Sequence, residues 1–224
     1  MLAGQADRKM TEDCMVKPDS LIFDMDGTLW DNVDSYAISW NRALEAEGYS
    51  RRVNREELLG LMGREARVML ETIIPDASRS AQDRLFDGVV SQYQLLVPDM
   101  KPHIYEGVYA GLEKLSSRYP LFLLSNCEKG GLVNFMKHTG TAHLFTDFLE
   151  HGENLKPKSY NMRLLKERNQ LQAPFYIGDT DSDSKASAEA GLPFVFVTYG
   201  FGKTENFICS FDSFPQLVDY FLHI

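Results

Sequence analysis

Short apolar runs recur along the chain, and polar residues or glycine bound each of them. Runs of this length and character are typical of β-strands that are covered on both faces. The predicted strands are 21–23, 121–124, 175–177 and 193–198, with 145–149 as a weaker candidate. Helical patterns separate the later runs, at 107–119, 130–139, 159–169 and 183–190. This alternation predicts an α/β fold, with a Rossmann-like parallel-sheet core between two layers of helices.

The stretch between the first and second predicted strands departs from this alternation. It contains no convincing strand and four helical patterns, at 35–47, 55–61, 65–74 and 79–96. We therefore expect an inserted α-helical subdomain at 34–101, within a core formed by 20–33 and 102–224. Residues 1–19 are polar, and we expect them to form a disordered or extended lead-in.

Two chain crossings, near 31–34 and 98–102, would join the inserted helices to the core. Pro98 and Pro102 suit a stiff connection at the second crossing. Trp30, Tyr36 and Trp40 lie near the first crossing, where they either line a site or pack the helices against the core. Their helical spacing favours packing.

Composition and charge restrict the classes of partner. The chain has 224 residues, of which 44% are hydrophobic, so it can bury a substantial core. Its formal net charge of -9 argues against broad electrostatic binding to nucleic acid or to an anionic membrane. No apolar stretch approaches the roughly 18 residues that span a bilayer, and residues 1–19 lack the apolar segment of a secretory signal. We expect a cytoplasmic protein that is a monomer or a homodimer.

Two carboxylates follow the first predicted strand. Asp24 and Asp26 are two residues apart, so an extended backbone would point both to the same side, roughly 6.6 Å apart. Gly27 permits a tight turn where a Cβ would be in the way, and Thr28 adds a hydroxyl group. Open α/β sheets bind their ligands at the carboxyl ends of the strands, so this is a candidate site. The alternative is that these acids are turn residues or helix caps.

A second acidic group follows the strand at 175–177. Asp179, Asp181 and Asp183 lie so close in sequence that their carboxylates repel one another unless a cation sits among them. A divalent cation such as Mg²⁺, which uses one or two carboxylates together with water and substrate phosphate, is the simplest candidate. The spacing differs from that of an EF-hand loop. Asp181 is expected to be a surface or capping residue.

Two further segments carry groups that suit an anionic ligand. Ser125 and Asn126 follow the strand at 121–124, where a hydroxyl and backbone N–H groups can hold phosphoryl oxygens. Taken alone, these two residues would suit the cap of the helix predicted at 130–139. Lys156, directly before Pro157, offers a cation, with Lys158 as its rival; a lysine in a loop is otherwise usually solvated.

Together these segments resemble the four motifs of the haloacid dehalogenase-like hydrolase superfamily. The motifs are Asp-Met-Asp-Gly-Thr-Leu at 24–29, Leu-Ser-Asn at 124–126, Lys-Pro at 156–157 and Gly-Asp-Thr-Asp-Ser-Asp at 178–183. Their order and spacing match from about residue 20 to the end of the chain. The helical insertion resembles the cap of the subgroup that contains phosphoglycolate phosphatase and β-phosphoglucomutase. The resemblance implies a Mg²⁺-dependent phosphatase for a small phosphorylated metabolite, such as a phosphoglycolate-like compound or a sugar phosphate.

The resemblance and the needs of phosphoryl transfer assign roles to these residues. Asp24 would be the nucleophile that forms an aspartyl-phosphate, and Asp26 the general acid and then the base. Lys156 would offset charge, because the family pattern places the functional lysine directly before the proline. The implied Mg²⁺ ligands are the carboxylates of Asp24 and Asp179 and the backbone carbonyl of Asp26.

The remaining assignments concern the substrate and the surroundings of the metal. Asp183 would orient Lys156 or a metal-bound water. Arg64, in the segment 60–64, would hold a second anionic group of the substrate or would face solvent. The expected phosphate contacts are Gly27, Thr28, Ser125, Asn126 and Lys156.

Three alternative functions are considered beside the phosphatase. A phosphomutase of the β-phosphoglucomutase kind tends to carry a histidine where this chain has Tyr36, which favours hydrolysis. A dehalogenase needs no metal, whereas the acidic groups suit one. A non-catalytic binding protein with the same scaffold would be expected to have lost Asp24, Asp26 or Asp179, and all three are present.

Overall fold

The computed structural model describes residues 16–97 and 99–224. Most of the predicted lead-in, and the predicted stiffening role of Pro98, therefore lie outside the described residues. The chain is tied to the core from Asp19 onward: its backbone N–H donates to the Ala173 carbonyl, and its carboxylate accepts from the N–H groups of Gln172 and Ala173.

Six parallel strands form the central sheet, as the alternation of strands and helices predicts. A separate two-stranded antiparallel ribbon joins β2 to β3. The strands are β1 Ser20–Phe23, β2 Trp30–Asp31, β3 His103–Ile104, β4 Leu121–Ser125, β5 Phe145–Glu150, β6 Pro174–Gly178, β7 Phe194–Val197 and β8 Cys209–Phe211. The order across the sheet is β5-β4-β1-β6-β7-β8, so β1 lies between β4 and β6. Every residue of β1 is buried, which explains its continuous apolar sequence.

Helices cover both faces of the sheet and also fill the interval between β2 and β3. They are α1 Val33–Ala46, α2 Arg55–Leu59, α3 Ala66–Ile73, α4 Arg79–Leu96, α5 Val108–Ser116, α6 Gly131–Thr139, α7 His151–Asn154, α8 Lys158–Arg168, α9 Asp181–Ala190 and α10 Phe214–His223. The helices α5, α6 and α10 contribute to the core on one face, and α8 and α9 to the core on the other. The three-layer α/β fold is confirmed. No helix among the described residues is both long enough and apolar enough to cross a membrane.

The helices α1 to α4 have a hydrophobic cluster of their own. Trp40 and Leu44 of α1 pack there with Leu70 of α3 and Leu85 of α4. Side chains cap two of these helices at the start: Asn54 accepts from the Glu57 N–H and Ser78 from the Ala81 N–H. The boundaries expected for a subdomain at 34–101 stay a prediction.

The two chain crossings run side by side as the ribbon of β2 and β3. Trp30 pairs with Ile104, and Asp31 pairs with His103. Asp31 also forms an ion pair with Arg55 of α2, so the ribbon is joined to the inserted helices.

Helix α5 packs against α10 through Gly111, which gives a test of the core. A Cβ added to Gly111 would lie 2.6 Å from Phe214 Cε1 and from Val218 Cγ2. We expect Gly111→Ala to lower the free energy of unfolding by about 1–3 kcal/mol through overpacking, measured by urea denaturation.

Gly88 in α4 is the matched control, because a Cβ there would lie 3.4 Å from the Ala43 side chain, an ordinary contact. Gly88→Ala should raise the stability by up to about 1 kcal/mol, since alanine favours the helix. Equal stability of Gly111→Ala and the wild type would contradict this packing.

Candidate active site

The candidate site lies at the carboxyl edge of the sheet, where β1 meets its two neighbours. Asp24 directly follows β1, Ser125 ends β4, and Asp179 directly follows β6. Because all three strands are parallel, their carboxyl ends reach the same edge. The expected juxtaposition of the first-strand acids with the late acidic turn is present.

A buried lysine joins Asp24 to a further acid of the late acidic turn, Asp183. Lys158 Nζ lies 3.0 Å from Asp24 Oδ1 and 2.5 Å from Asp183 Oδ1, and the three side chains are at most 4% exposed. Burial alone would lower the pKa of Lys158, but the charges of Asp183 and Asp24 raise it well above its usual value. The lysine therefore stays positively charged beside Asp24.

The start of α9 fixes Asp183 in place. Thr180 caps this helix in a capping box: its hydroxyl accepts from the Asp183 N–H, and Asp183 Oδ2 accepts from the Thr180 N–H and hydroxyl. Asp183 Oδ1 accepts from Lys158. Both carboxylate oxygens are thus occupied, which suits a residue that positions the lysine.

The expectation that Lys156 lies beside Asp24 is wrong. Lys156 is exposed, and its Nζ lies 6.0 Å from the centre of the Tyr160 ring. The helix α8 begins at Lys158, one residue earlier than the sequence pattern predicts, and this first helical residue turns into the core. Asp183 accordingly orients Lys158 and not Lys156.

Two aromatic donors hold the side chain of Asp26. Trp30 Nε1 donates to Asp26 Oδ1 at 2.9 Å, and the Tyr36 hydroxyl lies 3.0 and 3.1 Å from the two carboxylate oxygens. Burial, and then the nearby charge of Asp24, raise the pKa of Asp26 to about 8. The protonated form that a general acid requires is therefore favoured at neutral pH. The sequence signal for these contacts is an aromatic donor close to the first motif, and sequence reasoning assigned those rings to packing.

The acidic side chains fit a divalent cation. Oxygens of Asp24, Asp179 and Asp183 lie within 4.8 Å of one another, and Lys158 is the only cation paired with them in the part of the chain that the structure describes. Burial raises the pKa of Asp24 to about 7 although Lys158 lowers it, and it raises that of Asp179 well above its usual range. A bound cation would offset the free-energy cost of burying these carboxylates in their charged form. Since Lys158 and Thr180 occupy Asp183, the carboxylates of Asp24 and Asp179 are the better candidate ligands.

Gly27 is required for its shape and not for its N–H. It adopts a φ of +82°, and a Cβ at this position would overlap the Asp179 carboxyl group. Its N–H donates to the Trp30 carbonyl at 2.8 Å, so no donor is left for a phosphoryl oxygen, contrary to expectation. The Thr28 hydroxyl lies 3.4 Å from Asp179 Oδ1. The other carboxylate oxygen, Asp179 Oδ2, accepts a hydrogen bond from the Phe201 N–H at 2.7 Å.

Ser125 and Asn126 do not cap the helix that follows them. The carboxylate of Glu150, which sequence reasoning missed, accepts from the Gly130 and Leu132 N–H groups at the start of α6. Ser125 is buried in the site and its hydroxyl accepts from the Cys127 N–H, which leaves the hydroxyl proton for an anion. The Asn126 side-chain amide donates to the Gly63 carbonyl at 3.0 Å, so it joins the end of β4 to the inserted helices.

A pocket opens from Asp24 and Asp26 toward the inserted helices. Ser125, Lys158 and Arg64 also line it. Arg64 is exposed, and its side chain forms no hydrogen bond or ion pair with another described residue. The geometry therefore leaves both expectations for Arg64 open: an anionic group of a ligand or solvent.

Comparisons with known proteins agree with the fold described above. A family model described as haloacid dehalogenase-like hydrolase matches residues 21–197. The chain is 29% identical over 193 residues to a phosphoglycolate phosphatase of Rhodobacter capsulatus, covering 83% of this chain and 86% of that protein. The crystal structure of a predicted phosphoglycolate phosphatase from Haemophilus somnus has a TM-score of 0.80 at 21% identity, covering 92% and 98% of the two chains. That of a predicted phosphatase from Clostridium acetobutylicum has a TM-score of 0.81 at 19% identity, covering 93% and 100%.

The carboxylate cluster predicts that Mg²⁺ stabilises the fold. A cation that binds only the folded state raises the melting temperature, by an amount that grows with its concentration above Kd. We expect added Mg²⁺ to raise the melting temperature of the wild type and to leave that of Asp179→Asn unchanged.

Asp181→Asn is the matched control, because Asp181 is outside the cluster and pairs with Lys185. It should keep the Mg²⁺ response. An equal response in Asp179→Asn, or none in the wild type, would remove Asp179 as a ligand.

Proposed function

The chain belongs to the haloacid dehalogenase-like hydrolase family, and from this we propose that it is a Mg²⁺-dependent phosphatase acting through an aspartyl-phosphate. The observation that carries the proposal is the buried Asp24 carboxylate with Lys158 Nζ 3.0 Å away. A carboxylate attacks an anionic phosphate monoester only where cations offset the accumulating charge. Relatives named phosphoglycolate phosphatase support a small phosphorylated metabolite as the substrate.

In the first step, an Asp24 carboxylate oxygen attacks phosphorus and the bond to the alcohol oxygen breaks. Asp26 gives its proton to that oxygen, which its raised pKa favours. Lys158 balances negative charge beside the reacting carboxylate. A magnesium ion held by Asp24, Asp179 and the Asp26 backbone carbonyl would supply further charge neutralisation at the phosphoryl oxygens.

In the second step, Asp26 acts as the base. As a carboxylate it takes a proton from water while the water oxygen attacks phosphorus, and phosphate leaves Asp24. Trp30 and Tyr36 hold the Asp26 side chain throughout, so the same group can serve both half-reactions. The Ser125 hydroxyl, the Asn126 backbone N–H and Lys158 are the proposed contacts to the phosphoryl oxygens.

We propose that the segment 34–101 is a cap over this site. Its helices wall the pocket, and Gly63 accepts the hydrogen bond from Asn126 at the end of β4. Opening would admit substrate, and closure would exclude bulk water from the phosphorylated aspartate. Arg64 lies where it can meet a second anionic group, as a phosphoglycolate-like substrate or a sugar phosphate with a second phosphate would require. A cytoplasmic location remains part of the proposal.

A phosphomutase is the nearest alternative activity. Such an enzyme must return the phosphoryl group to its substrate and keep water away from the aspartyl-phosphate. In this chain Tyr36, and not a histidine, contacts the proposed general acid. The contact leaves Asp26 as the base for water, which favours hydrolysis.

Asp24 is the most direct target for a test. We expect Asp24→Asn to reduce the release of p-nitrophenol from p-nitrophenyl phosphate with Mg²⁺ by at least about 10³-fold, because an amide is a poor nucleophile. Asp87→Asn, on the exposed face of α4, should retain wild-type activity. Undiminished activity of Asp24→Asn would exclude the proposed nucleophile, and wild-type activity unaffected by chelation would exclude the metal.

The two lysines give a paired test. Lys158→Gln should lower kcat by about 10²–10³-fold, since it removes the charge beside Asp24. Lys156→Gln should stay within about twofold of the wild type, because Lys156 is exposed and away from Asp24. Circular dichroism spectra and melting curves should show that both variants are folded. The reverse pattern of activities would restore Lys156 as the functional lysine.

A further inference from the structure

The pocket wall facing Asp24 and Asp26 is mostly apolar and aromatic. On this side the alcohol portion of a phosphate monoester would lie, because Asp26 must reach the leaving oxygen. The wall includes Trp40, Met62, Met69, Phe86, Val90 and Tyr93. Hydrocarbon groups can be buried here, but a polar group needs a specific partner.

Two hydrogen-bond acceptors in this pocket have free capacity, and one of them, Asn126 Oδ1, has no partner among the described residues. The Glu128 side chain is partly buried, and apart from its own backbone N–H no group in the described residues donates to its carboxylate. Asn126 Oδ1 is buried and accepts no hydrogen bond in the described part of the protein. Both residues lie on the loop after β4 and line the same pocket. An unsatisfied buried acceptor such as Asn126 Oδ1 is costly, so a ligand that donates a hydrogen bond to it would relieve that cost.

Glu128 is close to the groups that handle the leaving oxygen. Burial is the main reason why the pKa of Tyr93 is raised, and the charge of Glu128 is the next. Asp26 and Glu128 line the same pocket. The rings of Tyr36 of α1 and Tyr93 of α4 lie 5.3 Å apart, and both residues line this pocket. Burial raises the pKa of Glu128, and in its ionised form the carboxylate adds negative charge to the leaving-group side of the pocket.

We propose that Glu128 determines specificity by receiving an ammonium group on the alcohol portion of the substrate. The preferred substrates are then phosphate monoesters of small amino alcohols. This inference rests on the proposed phosphatase activity and departs from the substrate in the names of the relatives. Glu128 would contact the alcohol portion of the substrate and not its phosphoryl group, so it is a specificity-determining residue.

An ammonium group fits the pocket better than other polar groups. It has three donors, enough for Glu128 and Asn126 Oδ1 together, and aromatic side chains such as Trp40 and Tyr93, which line the pocket, are compatible with a cation. A carboxylate in the same place would be repelled by the Glu128 carboxylate. A polyhydroxylated sugar would need a partner for every buried hydroxyl, and this wall offers few. Arg64 also lines the pocket, but it is exposed, and an amino alcohol ester would bring it no second anionic group.

Three phosphate monoesters of similar size separate these cases. O-phosphoethanolamine carries an ammonium group, propyl phosphate a neutral methyl group and 2-phosphoglycolate a carboxylate. Phosphate release with Mg²⁺ should give kcat/KM values for the wild type that favour O-phosphoethanolamine over propyl phosphate by about tenfold or more. The value for 2-phosphoglycolate should be the lowest of the three.

The variant Glu128→Gln tests the residue itself. It should lower kcat/KM for O-phosphoethanolamine about tenfold more than that for propyl phosphate. It should also narrow the difference in kcat/KM between O-phosphoethanolamine and 2-phosphoglycolate. Glu113→Gln is the matched control, because it removes an exposed carboxylate from α5, away from the pocket. It should preserve the order of the three substrates.

Several results would overturn the proposal. A wild type that treats the three esters alike, or that prefers 2-phosphoglycolate, would exclude an ammonium site while leaving the phosphatase activity intact. An equal loss for all three esters in Glu128→Gln would show a structural role only. Absence of phosphate release from these esters and from p-nitrophenyl phosphate would overturn the proposed function together with this inference.

Discussion

The arrangement of the site depends on one buried cation, Lys158, held between Asp24 and Asp183. Removing one member of such a buried group costs about 3–5 kcal/mol, because it leaves an unpaired charge in the interior. The capping box of α9 secures Asp183, and Asp183 secures the lysine, so the geometry beside Asp24 follows from how a helix begins. Asp24 and Asp183 already outnumber the one lysine, and Asp179 is a third carboxylate in the same cluster. That imbalance favours the binding of a further cation at this edge.

The inserted helices and the sheet edge are coupled through the same small group of contacts. Tyr36 of α1 reaches Asp26, and Asn126 at the end of β4 reaches Gly63. A displacement of the helices would therefore change the hydrogen bonding of the proposed general acid, Asp26. The helices also supply the apolar wall of the pocket, whereas the sheet edge supplies nearly all of the charge. In the proposed mechanism, this division assigns phosphoryl chemistry to the sheet edge and recognition of the alcohol portion to the helices and the loop after β4.

The sequence allowed the fold and the acidic residues of the site to be predicted, because both follow from local patterns. Apolar runs located the strands β1, β4, β6 and β7, and parallel strands bring the acids that follow them to one edge. The sequence patterns did not locate β8 or α10. The pattern of β8 is short and that of α10 is mixed, so both elements are recognised only from their packing against the sheet. The choice of Lys156 failed because a lysine before a proline does not reveal where α8 begins. The hydrogen bond from Asn126 to Gly63 joins residues far apart in the sequence, which spacing cannot show, and the one from Gly27 to Trp30 closes a local turn whose hydrogen bonding the motif does not reveal.

The central claim is that the Asp24 carboxylate carries the phosphoryl group. It is tested most directly by acid-quenching the enzyme during turnover of a phosphate-labelled substrate and mapping the labelled peptide by mass spectrometry. The account predicts one phosphorylated residue, Asp24, with a label that hydroxylamine removes as it does from acyl phosphates. Label on another residue, or turnover with no labelled peptide in the wild type or in a variant of Asp26 that slows hydrolysis, would contradict it.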